Sequence, residues 1–277
     1  MTLLPVYPAA LPAALPAGLF GGDAVSQVID LAAVLLLALG IKGLSKVRSA
    51  RTANGLAALA MGLAVLGLLL QIRPDPQAWL WIGIGTAAGG LAGLLTAQRV
   101  PMTAMPETVA LFNGCGGMAS LLVALGVALF DSADAGIVAL VSIAISVFVG
   151  AITFSGSIVA MAKLQGWLDT PGWTQSRLRH VVNISLAITA LVGSVLLLAD
   201  PSGLPLWLLV GSASLLGVGV TLPIGGADMP VVISLLNSYS GVAAAAAGFV
   251  VGSQLLIVAG AMVGAAGLIL TQVMCTA

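Results

Sequence analysis

Apolar residues fill long continuous stretches of this chain instead of alternating or recurring on one helical face. Breaks at polar, Pro and Gly positions divide them into nine stretches, roughly 24 to 44, 53 to 71, 78 to 97, 107 to 130, 135 to 162, 180 to 199, 204 to 222, 229 to 250 and 253 to 275. About 20 apolar residues in a helix cross about 30 Å of hydrocarbon. Strands of a membrane barrel alternate between lipid and lumen, and these Leu/Ala/Val/Gly runs do not. The predicted fold is therefore all-α, a polytopic membrane helical bundle of about nine transmembrane helices. Ahead of it, residues 1–23 carry Pro5, Pro8, Pro12 and Pro16 and read as a Pro/Ala-rich exterior extension; the transmembrane domain takes 24–277.

Composition agrees with that picture and charge adds an orientation. Of 277 residues, 60% are hydrophobic and 6% charged, against about a quarter charged in soluble domains. A water-soluble globular fold is excluded. The formal net charge of +0 leaves no basic surface for nucleic acid. Lys and Arg collect in short cytoplasmic loops. Lys42, Lys46, Arg48, Arg51, Arg99, Lys163, Arg177 and Arg179 fall in one alternating set of loops, and only Arg73 in the other. That split puts the N-terminus outside and the C-terminus in the cytoplasm. Asp23, Asp75, Asp131, Asp134 and Asp200 lie in the outer set. No Lys or Arg precedes residue 41, so a signal-peptide n-region is missing. Cys115 and Cys275 give neither a disulfide framework nor metal-ligand spacing and read as small packing residues.

Small residues at four-residue spacing, Gly85/Gly89/Gly93 and Gly260/Gly264, are expected to let helix backbones approach closely. The run Ala243 to Ala247 suggests a helix packed on all sides. Two matches to the dinucleotide fingerprint, Gly83/Gly85/Ala88 and Gly114/Gly116/Ala119, follow no strand and read as chance among 35 glycines. No Walker loop, zinc-protease motif, nucleophile elbow or calcium loop is present. No catalytic residue and no metal or cofactor ligand is assigned.

Polar residues inside the spans are costly in hydrocarbon and therefore informative. Ser234, Asn237 and Gly241 share a face of the eighth span with Ser238 alongside, and Asn113, Gly116, Gly117 and Ser120 form a similar stripe on the fourth. Thr153, Ser155 and Ser157 stud the fifth, and Asn183, Ser185 and Thr189 the sixth. Such groups relay a proton through water or simply bond neighbouring helices. Among titratable groups, Asp30 lies near the outer end of the first span, and Glu107 and Asp228 sit at cytoplasmic helix N-termini, where the dipole favours a carboxylate. His180 belongs to a basic cluster, Arg177 to His180, at the solvated edge. No titratable group is placed at mid-membrane, so a proton path requires water or a group from another subunit.

The stretch LPIGGADMPVVISLLNSYSGVAAAAAGF, Leu222 to Phe249, closely resembles the membrane part of the β subunit of the proton-translocating NAD(P) transhydrogenase family. MTAMPETVALFNGCGG (Met102 to Gly117), ITFSGSIVAMAKLQG (Ile152 to Gly166) and LIVAGAMVGAAGLILTQVMC (Leu256 to Cys275) are similar to it as well. The resemblance implies nine spans with the C-terminus inside. It implies inward proton movement coupled to hydride transfer between NADH and NADP+ in other domains, and a bacterial inner-membrane location. No cofactor is expected on this chain; NADP(H) and NAD(H) belong to the complete enzyme, with an NADP(H)-binding domain expected after residue 277. Implied partners are α-type subunits carrying membrane helices and the NAD(H) domain, in a dimer of the complex. Carried over by motif, Asn237 and Ser157 fall on proton-path positions and Asp228 on the cytoplasmic mouth. Ser234, on the same helix face as Asn237, is expected to join the path, and the cytoplasmic rim of Asp228, Glu107 and the Arg177 to His180 loop is expected to form the gate. Asn113 departs from the pattern: many members carry a relay His there, and in members with Asn a partner-subunit histidine serves instead. Two other readings stand beside this one. One is a secondary transporter with a discontinuous helix at Gly225 to Pro230; the other is a scaffold assembling partners through its glycine faces.

Overall fold

The computed structural model describes residues 24–44, 46–72, 76–131, 135–201 and 203–276; the Pro-rich extension lies outside them. Among the described residues there are nine long helices: α1 (Ala24–Leu44), α2 (Ala50–Ile72), α3 (Pro76–Arg99), α4 (Met105–Phe130), α5 (Ile137–Leu164), α6 (Leu178–Leu196), α7 (Leu204–Thr221), α8 (Met229–Val251) and α9 (Gln254–Thr276). All nine are long and apolar enough to cross a membrane, and with no strand among the described residues the chain is a multi-pass helical membrane protein. Their lengths run from 18 residues in α7 to 28 in α5.

Local chemistry explains where the helices start and stop. Proline occupies the first turn of α4, α7 and α8, where its missing N–H leaves no bond unmade. Gly252 ends α8 in the left-handed region at φ 70°, its N–H bonded to the Gly248 carbonyl. One residue later Ser253 Oγ accepts the Leu256 N–H at 3.3 Å, so α9 starts at once and folds back along α8. Residues 222–228 connect two full-length helices, α7 and α8, through a 3-10 turn at Gly226–Asp228, and Met229 and Pro230 already belong to α8. This connection does not interrupt a span, which removes the discontinuous helix that a transporter reading needs.

At the centre stands α5, packed against α4, α7 and α8; α6 lies on α7, α9 on α8, and α1 pairs with α2 and touches α9. The main core includes Leu121, Ile143, Val147, Leu206 and Leu209. Backbones come closest where glycines meet. A Cβ on Gly117 would lie 3.0 Å from the Gly150 carbonyl oxygen, and one on Gly260 2.6 Å from that of Gly241. Side chains such as Leu35, Ile84, Leu91, Phe249 and Ile269 face outward, as lipid contact requires. Buried hydroxyls bond the core helices: Ser146 Oγ lies 3.1 Å from the Ser120 carbonyl on α4 and 3.2 Å from the Ala243 carbonyl on α8.

Several expectations are corrected here. Gly260 and Gly264 do make a close crossing, but Gly85, Gly89 and Gly93 meet nothing within 4 Å, and α3 buries none of its residues. Identical spacing gives opposite outcomes because spacing defines a face and not its neighbour. The alanine run is covered by α4, α5 and α9 on most sides, yet Val242 and Phe249 beside it are exposed. Cys115 and Cys275 are both exposed and are not packing residues within this chain. Ser185 and Thr189 are exposed and bond carbonyls of their own helix, at Val182 and Ser185. Asn183 alone of that set reaches a neighbour, donating to the Gly219 carbonyl at 3.1 Å. Interhelical bonds in membranes are worth about 0.6 kcal/mol, so Asn183→Leu should lower the thermal unfolding temperature in detergent only slightly.

Candidate functional site

The starts of α4 and α8 and the end of α5 meet at one end of the bundle, where Ala110, Ala160 and Met229 share a core cluster. One turn further in, the close approach of α4 and α5 leaves room for a polar pair. A Cβ on Gly114 would lie 3.1 Å from Ser157 Cβ, so glycine here favours the close approach at which the preceding residue, Asn113, reaches across. Asn113 Nδ2 donates to Ser157 Oγ at 3.1 Å. Ser157 is fully buried and Asn113 is 8% exposed. Asn113 Oδ1 has no hydrogen-bond partner among the described residues. An amide oxygen offers two acceptor positions, and leaving it buried and unpaired costs about 1–3 kcal/mol. Cores rarely tolerate such a group without a use for it.

The third member is placed by register. Gly116 of α4 faces Ser240 of α8, whose Oγ a Cβ on Gly116 would meet at 2.9 Å. Both helices run in the same direction, so Asn237, one turn earlier on α8, stands level with Asn113, one turn earlier on α4. It is half-buried and its side chain makes no hydrogen bond among the described residues.

Ser234 does not join this group. Its Oγ donates to the Gly267 carbonyl at 3.3 Å and receives the Thr271 hydroxyl at 3.0 Å. Ser238 donates to the Gly264 carbonyl at 2.6 Å. Both belong to the α8–α9 seam, so the predicted stripe splits between two interfaces. Thr153 and Ser155 likewise satisfy themselves on the Val149 and Ala151 carbonyls of their own helix. Of the stripes read from sequence, Asn113, Ser157 and Asn237 are brought to one level.

At the bundle end, Asp228 is exposed in the 3-10 turn before α8 and Glu107 is half-buried in the first turn of α4. The Asp228 N–H donates to the Gly225 carbonyl at 3.1 Å, while neither carboxylate makes a side-chain hydrogen bond among the described residues; each stands at a helix N-terminus, where the dipole favours a negative charge. His180 is exposed and accepts the Arg179 Nε–H at 3.2 Å, as a solvated edge residue does. Lys163 is the residue that sequence reasoning missed, counting it only as a loop charge. It is half-buried, and Nζ donates to Leu222 O and Ile224 O, both at 2.6 Å, and to Thr170 Oγ1 at 2.7 Å. All three ammonium donors are thus used, tying α5 to the connection that carries Asp228.

A nucleotide does not fit these residues. The fingerprint glycines Gly83 and Gly85 lie inside α3, and Gly114 and Gly116 inside α4, where their amides are committed to helical bonds and cannot cradle a pyrophosphate.

Comparison with known proteins agrees with the geometry. The family model described as NAD(P) transhydrogenase beta subunit matches residues 26–277. Two curated sequences of NAD(P) transhydrogenase subunit beta from Rhodospirillum rubrum are each 44% identical over 259 residues, covering 91% of this chain and 55% of the relative. The chain thus spans about half the length of the curated relatives it matches. With the match running from α1 to the end of α9, the chain belongs to the NAD(P) transhydrogenase beta subunit family.

Proposed function

We propose that this chain is the proton-conducting membrane domain of an NAD(P) transhydrogenase β subunit in a bacterial inner membrane. One observation carries the reading: a buried amide–hydroxyl pair, Asn113 and Ser157, keeps a spare acceptor oxygen level with a second amide, Asn237. These groups are neutral, so they hold no charge in hydrocarbon, and they hand on a proton only in concert with water or a titratable partner. The spare Asn113 oxygen and the helix α3, none of whose residues is buried, both favour a complement from α-type membrane helices, with a partner histidine serving opposite Asn113. Asn237 and Ser157 take the proton path, and Asp228 with Glu107 the cytoplasmic mouth. NAD(H) and NADP(H) are handled by domains outside this chain, within a dimeric complex.

The energetics fit. Hydride exchange between two nicotinamides is nearly isoenergetic. One charge crossing about 200 mV supplies about 4.6 kcal/mol, enough to bias nucleotide ratios about a thousandfold. The test uses inverted membrane vesicles containing the assembled enzyme. Reduction of an NAD+ analogue by NADPH should acidify the lumen, and Asp228→Asn should lower both turnover and acidification. Hydride exchange without acidification in the unmodified enzyme overturns the reading.

A further inference from the structure

Between the polar level and the bundle end lies an apolar tier that the proton path must cross. Ala110 and Ala160 sit one turn from Asn113 and Ser157, a rise of about 4.5 Å at 1.5 Å per residue, on the side of Asp228 and Lys163. With Met229 and Ile233 they form a separate core cluster, rimmed by Met161, Leu164, Ile224 and Val232. Ala110, Ala160 and Met229 are completely buried. A dry apolar constriction stops ions and water by dewetting. Two small alanines leave the closure to Met229, whose unbranched side chain adapts to space most readily of the four.

Met229 is also the member best placed to move. It is the first residue of α8 and follows Gly225, Gly226 and Asp228 directly. Ile224, which packs on the cluster, has its carbonyl held by Lys163. Position of the α7–α8 connection and closure of the tier are therefore one mechanical unit.

We propose that Met229, with Ala110, Ala160 and Ile233, is the gate of the polar path, and that Lys163 is the latch that holds it shut through the Leu222 and Ile224 carbonyls. The proposal rests on the proton-conducting reading above. A signal reaching Asp228 opens the path by shifting the connection, withdrawing Met229 and breaking the Lys163 bonds together.

The experiment uses the assembled enzyme in proteoliposomes with an internal pH dye and no nucleotide. Proton flux down an imposed pH gradient should rise about tenfold in Met229→Ala and Met229→Ser, equivalent to about 1.4 kcal/mol off the barrier. Lys163→Met should leak similarly, while Lys163→Arg, which keeps charge and donors, stays tight. Adding Ser157→Ala to Met229→Ala should return the flux to the unmodified level, because the leak runs through the pair. Thermal unfolding in detergent identifies the variants that fold, and Ile233→Ser replaces any that does not. Folded variants with unchanged flux overturn the gate, as does a leak indifferent to Ser157→Ala. Nucleotide-driven acidification by the unmodified enzyme is recorded on the same vesicles; its absence overturns the proton-pumping reading instead.

Discussion

Replacing Gly241 by Leu should remove the folded protein from the membrane, and Gly126→Leu should not. A Cβ on Gly241 would lie 2.7 Å from Gly264 Cα and 2.8 Å from the Gly260 carbonyl oxygen, whereas one on Gly126 meets nothing within 4 Å. The obstacles at Gly241 are backbone atoms of α9, which have no rotamer by which to yield. Relief requires α9 to move away from α8, and the Ser238–Gly264 and Ser234–Gly267 bonds separate with it. Overpacking alone costs about 1–3 kcal/mol, and the lost interhelical bonds add about 0.6 kcal/mol each. Accumulation in membranes and the unfolding temperature in detergent measure both variants. Normal accumulation and stability of Gly241→Leu would mean that α8 and α9 are not in contact as described.

The second large effect concerns chemistry. Ser157→Ala takes from Asn113 the only hydrogen-bond partner that its side chain has among the described residues, leaving donor and acceptor both unmet. Leaving such a group unmet costs about 1–3 kcal/mol, and the part of it that falls on proton transfer corresponds to up to about a hundredfold in rate. On the proposed proton-conducting reading, proton-linked turnover of the assembled enzyme should fall by that factor. Ser155→Ala, two residues away, removes a hydroxyl already satisfied at 2.9 Å by the Ala151 carbonyl of its own helix and should change turnover little. Asn113→Leu should be at least as damaging as Ser157→Ala. Equal turnover in the Ser157 and Ser155 variants would sink the assignment of the pair.

The nine helices were legible because crossing a bilayer demands long apolar runs, and Pro106, Pro205, Pro230 and Gly252 mark their ends in residue types. The lateral arrangement was not. Ser234 and Asn237 share a sequence stripe, yet α9 claims one while the other stands level with Asn113, because periodicity says nothing about which neighbour lies where. Asn113 and Ser157 stood out as buried polar residues, but their bond joins positions 44 residues apart. Lys163 was hidden for another reason. Two of its acceptors are carbonyls freed where α7 ends, and every residue carries a carbonyl.

The unequal helix lengths have a consequence for the surrounding lipid. At 1.5 Å per residue, α7 with 18 residues spans about 27 Å and α5 with 28 about 42 Å. The flank formed by α6 and α7 therefore presents a lower hydrophobic belt than the α4–α5 side. Tilting of α5 and local thinning of the bilayer beside α7 reconcile the two, at a cost of fractions of a kcal/mol per ångström of mismatch. Thinning brings headgroups and water down toward the Leu222 and Ile224 carbonyls. Acyl-chain length is therefore expected to bear on the α7–α8 connection from the lipid side, through the mismatch at α7.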